Sequence, residues 1–246
     1  MAVHLDRARL VEELLPAVHA AGEVIMQIYA KGVEANRKVD GSPVTAADQA
    51  AEDILLQALG NAAPGIAIIS EENVVSHTIR AQNRFFLVDP LDGTKEFLRA
   101  DGQGAFTVNI AMIEKGRPVM GIVYAPALDR LFHTHDGQRP VEIAGGSRKQ
   151  LGVRPVPPAG AIAVASHSHR DPETDTWLAN HSISETMAIG SSLKFCLVAA
   201  GVADVYPRFG PTMEWDTAAG DAVLRAAGGR METPNGNDFI YGKADY

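Results

Sequence analysis

Hydrophobic residues recur every three or four positions between Leu10 and Ile28, with polar residues between them. This spacing predicts one long amphipathic helix over the first thirty residues, which Lys31-Gly32 end. A polar loop is expected over residues 33–44. The next helical pattern begins at Thr45 and continues to about Leu59, and Gly60 is a stop signal behind it.

Short apolar runs follow these helices and predict β-strands. Two of them, Ile66–Ile69 and Phe85–Val88, are followed directly by acidic residues. Turn-forming segments at 114–117 and 126–129 separate the runs after them, which predicts consecutive hairpins and an antiparallel sheet. The strands expected in this sheet are Phe106–Ile113, Val119–Tyr124 and Arg130–Thr134.

The pattern changes after residues 145–160, a stretch rich in Gly, Pro and basic residues. Strands and helices alternate beyond it, which predicts a parallel or mixed layer. We therefore expect an N-terminal α+β domain over 1–145, with most of the metal ligands, and a C-terminal α/β domain over 146–246, with the substrate-specificity segment. The C-terminal strands are Ala161–Ala165, Glu185–Ile189 and Ala203–Tyr206, and the helices are Thr174–Asn180, Ser192–Ala200 and Asp216–Ala227.

The composition is that of a globular protein, with 46% hydrophobic and 21% charged residues in 246. A net charge of −8 argues against nucleic acid or an anionic membrane as the main partner. Cys196 is the only cysteine, is expected to be buried and inert, and indicates a reducing compartment. With no signal peptide and no integral membrane segment in the sequence, we expect a cytoplasmic protein, and peripheral association with the inner membrane stays open.

The most informative motif is DPLDGT, which occupies Asp89 to Thr94 directly after a strand predicted to be buried. Two carboxylates lie three residues apart, and a Gly-Thr pair follows at the expected start of a helix. Carboxylates supply hard oxygen ligands for a metal ion, and the N–H groups at a helix start receive an anion. The alternative is an ordinary turn, since Asp, Pro and Gly favour turns.

Three further acidic sites have ordinary explanations when each is taken alone. Asp48 follows Thr45 in a capping box, Glu71-Glu72 fits a solvated loop, and Asp216 fits the start of a helix. As a set with the acids of DPLDGT they favour a metal site. Glu71, Asp89 and Asp92 each follow a short apolar strand, so if those strands are adjacent the acids gather at one sheet edge, where they repel unless cations neutralise them. Magnesium is the expected cation; zinc is not, because the histidines lack a third nitrogen or sulfur ligand nearby.

These motifs together resemble the signature of the lithium-sensitive phosphomonoesterase superfamily, which includes inositol monophosphatases, fructose bisphosphatases and bisphosphate nucleotidases. The signature is an Asp, then Glu-Glu, DPxDGT and WDxAA, and all four elements occur in order here, the last as Trp215–Ala219. Within the superfamily, DPLDGTKEF and the segment from Ser191 to Leu224 are most similar to the 3′(2′),5′-bisphosphate nucleotidases.

The resemblance implies a layered α-β-α-β-α sandwich with the active site between two domains. It also implies two or three magnesium ions and a water activated by them. Thr94, linked to Asp48, would orient and deprotonate this water, with Glu71 nearby. The implied metal ligands are Glu71, Asp89, the Leu91 carbonyl, Asp92 and Asp216; Gly93 and Thr94 would bind the scissile phosphate, and Glu71, Leu91, Asp92 and Asp216 would contact the substrate as well.

The implied activity is removal of the 3′-phosphate of adenosine 3′,5′-bisphosphate (PAP), which gives AMP, with the sulfated analogue PAPS as a second substrate. Lithium should inhibit by displacing one magnesium. Ser192, Lys194 and Arg208 are candidates for contacts to the nucleoside and the second phosphate, unless Lys194 lies on a solvated helix face. The alternatives are an inositol monophosphatase with the same metal site and a catalytically silent nucleotide or metal sensor. Monomer and homodimer are both open.

Two features depart from the family pattern. His167 stands where the family usually has an arginine, which would weaken a phosphate contact there or make it pH-dependent. The sequence also ends at Tyr246, whereas relatives continue with an apolar tail. We expect either that the last strand is absent or that the sequence is truncated; neither departure affects the metal ligands.

Overall fold

The computed structural model describes residues 5–32, 36–37, 43–99, 104–166, 171–244 and 246. Its centre is a sheet of seven strands in the order β3-β4-β5-β6-β7-β8-β9, which are parallel between β3 and β4 and antiparallel elsewhere. Their bounds are β3 Ala67–Ser70, β4 Arg84–Asp92, β5 Thr107–Glu114, β6 Arg117–Ala125, β7 Arg130–His135, β8 Val141–Ala144 and β9 Ser147–Gln150. The short strands β1 (Asn36–Arg37) and β2 (Pro43–Val44) form a separate antiparallel pair.

One face of the large sheet is covered by helices α1 (Arg7–Lys31) and α2 (Ala46–Ala62). Their apolar stripes bury Leu14 and Leu55, among others, against the sheet residues Phe86 and Val88. The long first helix is therefore confirmed. The end predicted for the second helix is wrong: α2 continues through Gly60, because packing of its apolar face on the sheet outweighs the weak helix propensity of a single glycine.

The opposite face of the sheet is covered by helices α5 (Leu193–Ala199) and α6 (Glu214–Ala226). Strand β4 alternates between the two faces, so that Phe85 and Leu87 pack on this side. Helix α6 approaches the sheet closely at Gly121, where an added Cβ would lie 2.6 Å from the Ala219 carbonyl oxygen. A glycine at this point of β6 allows the close approach.

A second, parallel sheet completes the layers. It consists of β10 (Ala161–Ala165) and β11 (Ile183–Ala188). Val164 packs towards α5, whereas Ala163 and Ala165 pack towards helix α4 (Pro172–Asn180). The layers are therefore α1/α2, the large sheet, α5/α6, the small sheet and α4, which confirms the α/β sandwich with the order α-β-α-β-α. The remaining helix, α3, is Thr94–Phe97.

Of the other predictions about secondary structure, one needs correction and one lies largely outside the described residues; in addition, two strands were missed. The segment 203–206 forms only an isolated bridge, between Val205 and Ala163, and not a strand. Strands β8 and β9 were not predicted. The loop at 33–44 lies largely outside the described residues. The domain division at 145 stays a prediction, although β9 adds residues 147–150 to the first sheet.

The Cys196 thiol is fully buried within the core beside α6, and burial raises its pKa, as expected for an inert cysteine. Among the helices of the described residues, none combines the length and the apolar character needed to span a bilayer.

Burial of His133 in β7 predicts acid sensitivity. Its side chain is 3% exposed, neither ring nitrogen has a hydrogen-bond partner among the described residues, and burial, with a smaller effect of Arg148, lowers its pKa to about 4. The unfolded chain therefore binds a proton between about pH 6.5 and 4 that the folded chain does not, so stability falls as the pH falls through this range, by at most about 3 kcal/mol.

Urea denaturation between pH 4 and 7 would measure this effect, with His133→Leu as the comparison. The variant should show a flatter dependence of the free energy of unfolding on pH. Parallel profiles for the two proteins would contradict the assignment.

Candidate active site

The parallel pairing of β3 and β4 brings two of the predicted acids to the same sheet edge. Ser70 pairs with Val88, and the Glu71 N–H continues the ladder by donating to the Val88 carbonyl at 3.1 Å. Glu71, directly after β3, therefore lies beside Asp89 of the neighbouring strand β4. Asp216, in the first turn of α6, approaches them from the helical layer that covers this face of the sheet. One carboxylate oxygen from each of these three residues lies within 4.8 Å of the other two. The gathering predicted at the sheet edge is confirmed for Glu71 and Asp89, and Asp216 joins them from α6.

The electrostatics of this cluster are unfavourable without a cation. Burial, with the charges of Glu71, Asp92 and Asp216, raises the pKa of Asp89 well above its usual value. Burial, with the charges of Asp92 and Glu71, raises the pKa of Asp216 to about 7. The cluster therefore takes up protons or binds cations. Three hard oxygen donors in mutual reach, with no histidine or cysteine in the group, fit magnesium.

Asp92 lies beside this trio and is held by hydrogen bonds. Its Oδ2 accepts from the Ser192 N–H at 2.6 Å, from the Ser192 hydroxyl at 2.9 Å and from Asn109 Nδ2 at 3.4 Å. Within the same turn, Asp89 Oδ1 accepts from the Leu91 N–H at 3.0 Å, and the Leu91 carbonyl accepts from the Thr94 hydroxyl at 3.3 Å.

Asp48 and Asp216 act as helix caps, and Asp216 also belongs to the carboxylate cluster. Asp48 Oδ2 accepts from the N–H of Thr45 at 2.8 Å, which is the capping box predicted at the start of α2. Asp216 Oδ2 accepts from the Met213 N–H at 3.2 Å at the start of α6. In each case the cap fixes one oxygen and with it the orientation of the carboxylate. The capping explanation of these two acids is therefore confirmed, and their functional roles stay predictions.

The Gly93-Thr94 pair connects the turn to the short helix α3. Gly93 has φ +94°, and an added Cβ would lie 3.1 Å from the Ala105 carbonyl oxygen, so both conformation and space require glycine. The Thr94 hydroxyl lies 3.5 Å from Asp48 Oδ1, at the outer limit of a hydrogen bond. Such contacts are often long without substrate and shorten when it binds.

A cavity of about 430 Å³ opens beside the carboxylates. Lys194, which lies 3% exposed in α5, faces it and donates from Nζ to the Ser191 carbonyl at 2.6 Å. The alternative of a solvated Lys194 is therefore wrong. Arg208 donates to the Pro211 carbonyl at 2.6 Å, and its buried Nε has no partner among the described residues. The other lining residues include Glu71, Asp89, Leu91, Asp92, Gly93, Thr94, Tyr206, Trp215 and Asp216.

Ser192 is not among the described residues that line this cavity. Its hydroxyl oxygen lies 2.9 Å from Asp92 Oδ2 and 2.6 Å from the Asp216 carbonyl oxygen. Direct contact of Ser192 with a nucleoside stays a prediction without support from this geometry. His167 lies outside the described residues. Two residues at the site, Asn109 and Tyr206, were not predicted. The only sequence signal for Asn109 is a polar residue within an apolar strand, on the face that carries Asp89 on the neighbouring strand.

The family model of the inositol monophosphatase family matches residues 6–246. The chain belongs to the inositol monophosphatase family. Among its relatives, the 3′(2′),5′-bisphosphate nucleotidase CysQ of Salmonella typhimurium is 46% identical over 235 residues, which cover 94% of each chain. The protein of the same name from Escherichia coli K12 is 43% identical over 235 residues, again 94% of each chain.

Solved structures agree with this relationship. The crystal structure of CysQ from Bacteroides thetaiotaomicron matches with a TM-score of 0.81 and 34% identity, and covers 100% of this chain and 95% of that one. An inositol monophosphatase from Anabaena matches with a TM-score of 0.75, covering 95% of this chain and 87% of that one. At 24% identity, the second match supports the fold alone.

The raised carboxylate pKa values predict how the metal-free protein responds to pH. A carboxyl group with a raised pKa stabilises the fold below about pH 4 relative to higher pH, and this contribution is lost as the pH rises through about 7, the pKa of Asp216. The melting temperature of chelator-treated protein should therefore fall between pH 5 and 8, and added magnesium should raise it most at pH 8.

The matched variant is Asp216→Asn, which removes one charge from the cluster and should flatten the pH dependence of the metal-free protein. A magnesium-induced shift that is equal at pH 5 and pH 8 would contradict this prediction.

Proposed function

We propose that this protein is a magnesium-dependent 3′(2′),5′-bisphosphate nucleotidase that hydrolyses PAP to AMP and phosphate, with PAPS as a second substrate. The observation that carries the proposal is one cavity that combines the carboxylate cluster with two cationic side chains, Lys194 and Arg208. The nucleotidases of S. typhimurium and E. coli, similar over 94% of their length, support the substrate class. A cytoplasmic location fits the single cysteine.

Glu71, Asp89, Asp92, Asp216 and the Leu91 carbonyl would hold two or three magnesium ions. When bound, the ions would neutralise charge on the phosphoryl oxygens and lower the pKa of a water molecule. The hydrogen bond from the Leu91 N–H to Asp89 and the one from the Met213 N–H to Asp216 restrict the orientation of these two carboxylates.

Thr94 and Asp48 would orient the attacking water. The Thr94 hydroxyl lies 3.5 Å from Asp48 Oδ1, so it would turn from the Leu91 carbonyl and pass its proton to Asp48 as Thr94 Oγ1 takes a proton from the water, which leaves Asp48 with the proton. Asp48 is 1% exposed and held by its cap, so it can keep this orientation through the reaction. Glu71 approaches the same region from the end of β3.

The phosphate groups would be bound at two places in the cavity. The first N–H groups of α3, at Gly93 and Thr94, have no acceptor within the helix and can receive the oxygens of the scissile phosphate. Lys194 and Arg208 carry the positive charge for the second phosphate. The positive charges of Lys194 and Arg208 would distinguish a bisphosphate site from a monophosphate site.

An inositol monophosphatase with the same metal ligands is the second candidate, but it has little need of Lys194 and Arg208 facing the cavity. A catalytically silent nucleotide or metal sensor is the third. Each family motif is present in the sequence, from Asp48 to Trp215–Ala219, which favours an active enzyme. Full activity of a Thr94→Ala variant would argue for a different catalytic arrangement.

The test of the function is phosphate release with magnesium from PAP and from inositol 1-phosphate at equal concentration. PAP should be strongly preferred, and lithium should inhibit the reaction. A preference for the inositol ester would keep the metal site and overturn the substrate assignment. Release from neither substrate, by protein that binds magnesium, would favour the sensor.

The role of Lys194 is tested by Lys194→Met with PAP and with adenosine 3′-monophosphate, which lacks the second phosphate. The KM for PAP should rise about 10- to 100-fold, the equivalent of a lost charge-assisted hydrogen bond, and the KM for the monophosphate should change little. Lys149→Met, which removes the same charge from exposed strand β9, is the control. Equal losses for both substrates would show that Lys194 supports only the fold.

A further inference from the structure

We propose that Asn109 and Ser192 form a positioning pair that fixes the carboxylate of Asp92 for metal binding. The proposal rests on the proposed function in one respect, that Asp92 is a magnesium ligand. It assigns a role to Asn109, which no sequence motif indicates, and it gives Ser192 a role different from direct contact with the nucleoside.

Ser192 connects three elements at the base of the site. At the start of α5, its N–H and hydroxyl both lie within hydrogen-bond distance of Asp92 Oδ2, at 2.6 and 2.9 Å. The same hydroxyl oxygen lies 2.6 Å from the backbone carbonyl oxygen of Asp216 in α6. Ser192 therefore ties a carboxylate of β4 to the helix that carries Asp216.

Asn109 determines how the Ser192 hydroxyl is used. A hydroxyl has one proton to donate, and here two acceptors, Asp92 Oδ2 and the Asp216 carbonyl, lie within its reach. Asn109 Nδ2 donates to Ser192 Oγ at 2.9 Å and also reaches Asp92 Oδ2 at 3.4 Å. The amide thus occupies a lone pair of the hydroxyl and directs its proton towards the two acceptors.

The position of Asn109 in β5 is costly for the fold alone. On this face of β5, Ile113 and Ala111 pack into the apolar core, and the next residue in the row, Asn109, is 0% exposed. Its Oδ1 has no hydrogen-bond partner among the described residues. A buried amide with one unsatisfied atom destabilises a core relative to an apolar side chain. Packing therefore does not explain the amide at this position, whereas its hydrogen bonds to Ser192 and Asp92 do.

Fixing Asp92 in this way should strengthen metal binding. Donors converging on Oδ2 hold the plane of the carboxylate. They also fix its position relative to Asp216, which comes from another layer of the fold. Residues that orient metal ligands commonly account for about 10- to 100-fold in metal affinity or activity.

The test uses Asn109→Leu, which is similar in size and removes the amide, and Ser192→Ala, which removes the hydroxyl and keeps the N–H. Thr107→Val is the matched control. Thr107 lies two residues from Asn109 on the same face of β5, is 0% exposed, and its hydroxyl has no partner among the described residues. The readouts are the magnesium affinity of metal-free protein by calorimetry, the melting temperature without metal, and kcat and KM at saturating magnesium.

Magnesium affinity should fall about 10- to 100-fold in Asn109→Leu and in Ser192→Ala, and the double variant should lose less than the product of the two. Without metal, Asn109→Leu should melt no lower than the wild type. Thr107→Val should bind magnesium normally. Wild-type affinity in either Asn109→Leu or Ser192→Ala would overturn the proposal, and so would an equal loss in Thr107→Val.

If Asn109→Leu does not fold, Ser192→Ala alone decides, since it deletes a single oxygen. The outcomes are separable from those for the proposed function because magnesium binding is measured without substrate. Normal magnesium binding without phosphate release from PAP would overturn the nucleotidase proposal alone. Absence of magnesium binding by the wild type would overturn both.

Discussion

Mutual repulsion among buried carboxylates is the constraint on which the rest of this structure depends. Glu71, Asp89 and Asp216 bring their oxygens within 4.8 Å of one another, and burial together with the neighbouring charges raises the pKa of Asp89 and of Asp216. A cation stabilises such a cluster, and the fold prepares it for one. The electrostatic repulsion between these charges is offset by packing of the surrounding layers, which holds β3, β4 and α6 together.

Those layers explain how residues from both halves of the chain form one site. Parallel pairing of β3 with β4 sets Glu71 beside Asp89, and the close approach of α6 at Gly121 brings Asp216 over the sheet. The carboxylates then receive additional restraint from local hydrogen bonds: a cap for Asp48 and Asp216, the DPLDGT turn for Asp89, and Ser192 for Asp92. A cation held by these carboxylates would therefore join the two halves of the fold.

Much of this arrangement could be predicted, because the motif acids follow strands whose adjacency is a common outcome in α/β folds. The end of α2 could not, since its continuation through Gly60 depends on packing against the sheet. Strands β8 and β9 lack a strong apolar pattern, and β9 is exposed throughout. The local signal for Asn109 is only that of a polar residue within an apolar strand: its partners, Asp92 and Ser192, are distant in sequence and meet it only in the folded protein.

The central claim, that the carboxylate cluster exchanges protons for magnesium, is tested most directly by counting the protons released on magnesium binding. Calorimetric titrations of metal-free protein at pH 7 in buffers of different ionisation enthalpy give this number. The account predicts net proton release at pH 7 that decreases at pH 8, because Asp89 and Asp216 have raised pKa values. Magnesium binding without proton release at pH 7 would contradict it.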